Sequence, residues 1–195
     1  MTVQTKGEKT RTRVIREARK LIVEKGFNNT SINEIIAATG VKKGAMYFHF
    51  ANKEELGFSV LLDAKEEFFN FLEVSFIGES PYEKIDHFFL SLLKQQQNAH
   101  FVGGCLFGNT ALEMSDSNER YANLIKEVFS DWTNILTRLL KEAQLGGQVI
   151  GTIDAESLAH MIVAALEGGI MMARVSKKSS NLEDCIGVIR SLITV

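Results

Sequence analysis

Between Thr30 and Leu56 the chain reads TSINEIIAATGVKKGAMYFHFANKEEL, a segment punctuated too closely for anything but short helices. Ser31 with Glu34 has the spacing of a capping box, in which a hydroxyl and a carboxylate satisfy the first free amides of a helix. The helix it opens buries Ile32, Ile35 and Ile36; Gly40 ends it, and Val41 can plug the turn. Gly44 to Phe50 is a second short helix, and Asn52 with Glu55 has the spacing of another capping box, opening a long helix to about Phe76. A short helix, a tight glycine turn and a second short helix form the layout of a helix-turn-helix, whose second helix lies in the major groove of DNA.

Charge separates this head from the rest of the chain. Residues 1–55 hold 11 Lys and Arg against 6 Asp and Glu, whereas residues 56–195 hold 11 against 18. A basic head on an acidic body is the distribution expected when only the head meets phosphate. The two cysteines, Cys105 and Cys185, make no disulfide framework, and the four histidines have no metal-ligand spacing. No metal or cofactor is therefore expected. The charged N-terminus lacks a signal-peptide core, and no uninterrupted apolar run suggests a membrane span, so the expected location is cytoplasmic.

The remaining punctuation is helical too. A single proline and little strand-like alternation point to an all-α protein. Around Arg11 to Lys25, Val14, Ile15, Ala18, Leu21 and Ile22 share one face, with Lys9, Arg13, Arg16 and Lys20 opposite. Ser80-Pro81-Tyr82-Glu83 starts a further helix, Gly103-Gly104 breaks it, and Cys105 to Met114 is a short one. Ser117 or Asn118 opens a helix to about Leu145, and Asp154 caps the next, whose seam runs from Leu158 to Ile170. Leu182 to Ile193 is the last of nine helices.

Thr30-Ser31-Ile32, Gly40-Val41, Lys43-Gly44, Tyr47-Phe48-His49-Phe50 and Lys53-Glu54-Glu55-Leu56 resemble the DNA-binding domain of TetR-family transcriptional regulators. The resemblance implies a three-helix head, residues 1–51, and a helical ligand-binding and dimerisation body, residues 52–195. Gly104 to Glu113 is similar to the sixth helix in one branch of that family. The implied partners are double-stranded DNA bearing a palindromic operator, a small-molecule effector, and a second copy of the chain joined through the last two helices. The implied function is a homodimeric repressor released from its operator by a largely apolar ligand.

The residues give that expectation its chemistry. Gly44 and Ala45 lack bulk, letting the helix approach the groove, and Ala45 could touch a thymine methyl. Many relatives resemble each other in carrying a hydroxyl where this chain has Ala45. Lys42 and Lys43 sit where lysine reaches guanine acceptors or phosphate. Lys53, with the amides opening the fourth helix, is placed for a phosphate, as are Thr30 and Ser31 at the second. By resemblance, Tyr47 donates to a phosphate and His49 does likewise or reaches a base. Phe50 reads as core rather than contact, and Phe48 is left open between the two.

In the body, nine of the 13 phenylalanines fall between Phe58 and Phe107, a density that can line a cavity or simply fill a core. Phe68, Phe71, Phe88 and Phe107 are the aromatic candidates for an effector site. His87, His100, Cys105, Asn109 and Trp132 are the polar or amphipathic ones. Cys105 has no basic neighbour in sequence to activate it and reads as packing. An enzyme would have to use Cys105 with His100 or His87; no Gly-x-Ser-x-Gly, P-loop or dinucleotide fingerprint is present, and the expectation is a protein that is not an enzyme.

Overall fold

The computed structural model describes residues 5–195, so the first four residues of the expected head lie outside it. Nine helices make up the described chain: α1 (Lys6–Lys25), α2 (Ile32–Thr39), α3 (Lys43–His49), α4 (Lys53–Ser75), α5 (Pro81–Asn98), α6 (Leu106–Met114), α7 (Glu119–Leu145), α8 (Ala155–Ser176) and α9 (Ser180–Ile193). Among the described residues the only β pairing is an isolated bridge between Val149 and Thr194.

The caps explain most of the boundaries. Ser31 and Ser80 each form a reciprocal box with the glutamate three residues on, and Asp154 accepts the Ser157 amide. Two starts differ from expectation. α1 begins at a capping box of Thr5 and Glu8, more than a turn before the apolar stripe that marks it in the sequence. At α4, Asn52 accepts the Glu55 amide, but the Glu55 carboxylate does not reach back; it pairs instead with Arg120 of α7. That residue ties α4 to the body rather than closing its own cap.

The buried side chains fall into two clusters. One lies inside α5, α7, α8 and α9, around Phe88, Trp132, Leu136, Leu166 and Ile186. The other holds Val14, Ile35, Met46 and Phe50 of the head together with Leu56 and Val60 of α4, Leu106 and Phe107 of α6, and Tyr121 and Leu124 of α7. The boundary expected between residues 51 and 52 falls at the Asn52 cap, yet the packing does not divide there, because the head shares its core with three body helices. Burying side chains of this size contributes roughly 1.5–3 kcal/mol each, so the shared cluster is a substantial attachment.

Gly57 is where this junction is tightest. A Cβ there would lie 2.3 Å from Phe27 Cε2 and 2.5 Å from Tyr121 Oη, so only glycine lets α4 pass between the head and α7. Tyr121 Oη donates to the Glu54 carbonyl at 2.6 Å, and its ring meets Phe27 and Phe58 edge-on at 5.7 Å.

By length and composition α8 would be able to cross a membrane, although Glu167 interrupts its apolar run. Its apolarity has another cause. Leu158, Ile162, Leu166 and Ile170 face the body core, while Met161, Met171, Met172 and Val175 remain exposed on the other side.

Candidate DNA-reading face and effector cavity

With only seven residues and no side-chain cap, α3 cannot stand alone. It is held by burial: Met46 is wholly enclosed, Val41 and Phe50 nearly so, and the Phe50 amide donates to the Met46 carbonyl. Phe50 is thus core, as its pattern suggests. The opposite face is open. Lys42, Lys43, Gly44 and Tyr47 are exposed, and Ala45 and His49 are half-buried. Phe48, left undecided by the sequence, is 84% exposed, an unusual position for a phenyl ring unless something covers it. The imidazole of His49 lies between the Phe48 and Phe50 rings, 5.2 Å and 6.3 Å away.

The remaining head residues divide. Ser31 is exposed and shares Glu34 with Lys25, whose hydrogen bond lowers the Glu34 carboxyl to about 2. Thr30 is buried, and its hydroxyl donates to the Gly26 carbonyl at 2.8 Å, so that group is committed to the turn rather than presented outward. The Lys53 ammonium donates to the Asn28 carbonyl at 3.2 Å and sits 4.5 Å above the Phe27 ring, at the base of the head. On α1, Lys9, Arg13, Arg16 and Lys20 are all exposed, and Arg16 and Lys20 are drawn to Glu17.

The α1–α2 turn carrying these groups is held from the body. Glu113 of α6 accepts the Phe27 amide at 3.1 Å and the Asn28 amide at 2.8 Å. Gly26, at φ 89°, makes room for it: a Cβ there would be 2.8 Å from Glu113 Oε1. The loop before α6 also touches α1, since a Cβ on Gly103 would lie 2.2 Å from Val23 Cγ1.

The same α6 lines a cavity of about 280 Å³ with α1, α4, α5, α7 and α8. Of the expected effector residues, Phe68, Cys105, Phe107 and Trp132 line it together, and Asn109 lines a neighbouring recess of about 560 Å³ that shares Cys105. The other four lie elsewhere. Phe88 is solid core stacked on Phe76 at 4.6 Å, and Phe71 packs in the same cluster. His87 engages the Ser75 carbonyl at 2.9 Å, and His100 is exposed in the turn after α5. Phenylalanine density alone does not separate lining from filling, because a ring at a cavity wall and a ring packed solid are equally withdrawn from water.

Cys105 caps α6, its sulfur accepting the Gly108 amide at 3.5 Å. Burial, reinforced by the Glu167 carboxylate, pushes its thiol pKa well up, so it stays protonated. Glu167 is the most consequential of the lining residues that reasoning from sequence missed. Burial raises its carboxyl to about 7, and the Cys105 thiol only partly offsets this. A signal was present: between Met161 and Ala173 it is the only charged residue in an otherwise apolar or glycine run.

A buried-backed short helix with lysines and aromatics on its free face, steadied by a neighbouring helix across a glycine turn, defines a helix-turn-helix DNA-binding protein. Residues 14–60 match the family described as bacterial regulatory proteins, tetR family, and residues 81–187 match the C-terminal domain of LmrA/YxaF-like transcriptional regulators. The chain belongs to the TetR family of transcriptional regulators and is not an enzyme. The HTH-type transcriptional repressor DhaR of Mycobacterium sp. (strain GP1) is 24% identical over 185 residues, covering 92% of this chain and 89% of that protein. The transcriptional regulator AcuR of Cereibacter sphaeroides is 28% identical over 173 residues, covering 87% and 78%. A solved TetR transcriptional regulator from Chloroflexus aurantiacus J-10-FL superposes with a TM-score of 0.86 at 28% identity, covering 97% of this chain and 98% of that one.

Proposed function

We propose that the protein is a homodimeric repressor that a small, largely apolar ligand releases from a palindromic operator. The observation that carries this reading is the Glu113 bridge: one helix, α6, both lines the cavity and hydrogen-bonds the turn that sets the recognition helix. A ligand that fits the cavity only when α6 shifts must move the head by its differential affinity for the two arrangements. Useful induction needs a coupling on the order of 1–3 kcal/mol.

In this reading residues 1–51 bind DNA and residues 52–195 bind ligand and partner. Lys42, Lys43, Gly44, Ala45, Tyr47 and His49 face the groove, joined by Phe48. Ser31 and Lys53 take flanking phosphates, and Thr30 acts by fixing the turn. Dimerisation uses the exposed apolar face of α8, continued on α9 by Val188 and Leu192. Open space over Gly168 and Gly187 lets a second pair of helices approach closely. Two recognition helices related by a two-fold axis match a palindrome. Such a regulator works where chromosomal DNA lies, in the cytoplasm.

Selection of bound DNA from a random duplex pool tests this directly. Enrichment of a palindrome is the expected result; enrichment of an asymmetric site would end the dimer argument, and none from folded protein would end the repressor reading.

A further inference from the structure

Two buried side-chain atoms among the described residues have no hydrogen-bond partner, Trp132 Nε1 and Glu167 Oε1. Both side chains line the 280 Å³ cavity. An indole N–H can only donate, whereas an ionised carboxylate can only accept. Left unmade, each such bond costs about 1–3 kcal/mol, and a ligand in the cavity that both side chains line is the partner that would restore it.

The carboxylate is built in, not stranded. A Cβ on Gly108 would lie 2.5 Å from Glu167 Oε2, so the acid occupies room that only a glycine on α6 leaves. Among the described residues no cation in the wall pairs with it. Arg19 is engaged by Glu67 and by Asp63 at 3.6 Å. The Arg174 side chain lies against Gly104, and the Lys177 ammonium donates to the Phe101 carbonyl at 2.8 Å. The cavity wall carries three aromatic rings, the Phe68 ring 5.4 Å from Trp132 and 5.8 Å from Phe107, beside the Gln95 and Gln96 amides and the paired Arg19 and Glu67. Aromatic faces beside an unpaired carboxylate favour a cation with an apolar body.

We infer that the effector is an amphipathic organic cation, whose protonated amine pairs with Glu167 and whose apolar or aromatic frame fills the space beside Phe68, Phe107 and Trp132. This sharpens the expectation of a largely apolar ligand, and it rests on the reading of the cavity as the effector site. A hydrogen-bond acceptor on the frame would reach the free Trp132 indole. The ion pair forms on the α8 side of the α6 wall, so the ligand draws on the helix that holds the head.

The test uses the full chain with 4-phenylbutylamine and 4-phenylbutan-1-ol, which share a frame and differ in charge. Trp132 is the only tryptophan, so its fluorescence reports binding from inside the cavity. The amine is expected to bind about tenfold tighter or more than the alcohol. Glu167→Gln, which keeps the shape, should remove that preference. Equal or tighter binding of the alcohol to the unaltered protein overturns the cationic assignment while leaving a ligand cavity in place. So does a preference that survives in Glu167→Gln. If neither compound perturbs Trp132 at millimolar concentration, both the assignment and the effector cavity fall. Amine binding that leaves operator affinity untouched supports the assignment and counts against ligand-driven release alone.

Discussion

At the residue scale, Glu167 is a buried acid kept at the expense of stability. Its carboxyl is raised to about 7 by burial, from an ordinary value of 4.5. The groups facing it are the Cys105 thiol from the α6 side and, around the cavity, Arg19, Glu67 and Arg174. Below pH 4.5 the acid is protonated folded or unfolded and costs nothing. Between 4.5 and 7 only the unfolded chain ionises, so stability falls as pH rises, and above 7 the full penalty remains. Glu167→Gln is therefore expected to raise the melting temperature at about pH 8, by at most about 3 kcal/mol of stability, and to change it little near about pH 4.5. Calorimetry at the two pH values checks the sign; a stabilisation of equal size at both would show that the cost is not ionisation. The protonated Cys105 implies slow alkylation: the folded protein should react with iodoacetamide near neutral pH far more slowly than the unfolded chain.

At the scale of the element, the proposed recognition helix α3 and the α1–α2 turn are expected to contribute separately. Lys43→Ala, Tyr47→Ala and Lys53→Ala should each weaken operator binding, and the removal of each phosphate partner should flatten the salt dependence by about one unit of slope. Titrations at several salt concentrations measure this, and unchanged slopes for all three would mean the helix docks otherwise. Glu113→Ala is expected to act differently. It leaves the Phe27 and Asn28 amides without their acceptor, at about 1–3 kcal/mol of stability, and should lower operator affinity with the salt slope intact, since every phosphate partner is still in place.

These elements also mark what a sequence can disclose. Ser31, Gly40, Ser80-Pro81 and Asp154 act on amides and turns within a few residues, so their meaning is local and legible. Thr5 with Glu8 is equally local but lies ahead of the apolar stripe, where no periodicity draws attention to it. Glu55 could not be placed correctly from spacing, because Arg120, 65 residues away, competes for its carboxylate. The partners of Glu113 are 86 and 85 residues distant, and no pattern links such positions. The cavity was half legible for the same reason: aromatic density announces burial, while the choice between lining and filling depends on which helices fail to meet.

For the whole molecule, the decisive surface is the apolar strip of α8 and α9. Met171, Met172 and Val175 are more than half exposed on a helix whose other side is sealed into the core. Val175→Glu is expected to turn a dimer into a monomer with native helicity, read by sedimentation and circular dichroism together. Operator affinity should fall by far more than any single side chain explains, because two half-sites would no longer be held at once. A dimer that persists would place the interface elsewhere.

The second hydrophobic cluster has a consequence for how such a protein can be recombined. Because Phe27 and Gly57 close against Tyr121, and Val23 against Gly103, the first three helices are not a cartridge that can be lifted onto a foreign effector body. A chimera joined near residue 52 would carry a bare apolar underside and an unanswered α1–α2 turn. If the proposed function holds, new operator preference is reached by repainting the outer residues of α3, not by transplanting the head. On the same reading, new ligand preference is reached on the inner face of α8, leaving Glu113 where it is. The two specificities are free to drift apart while the joint between them stays fixed.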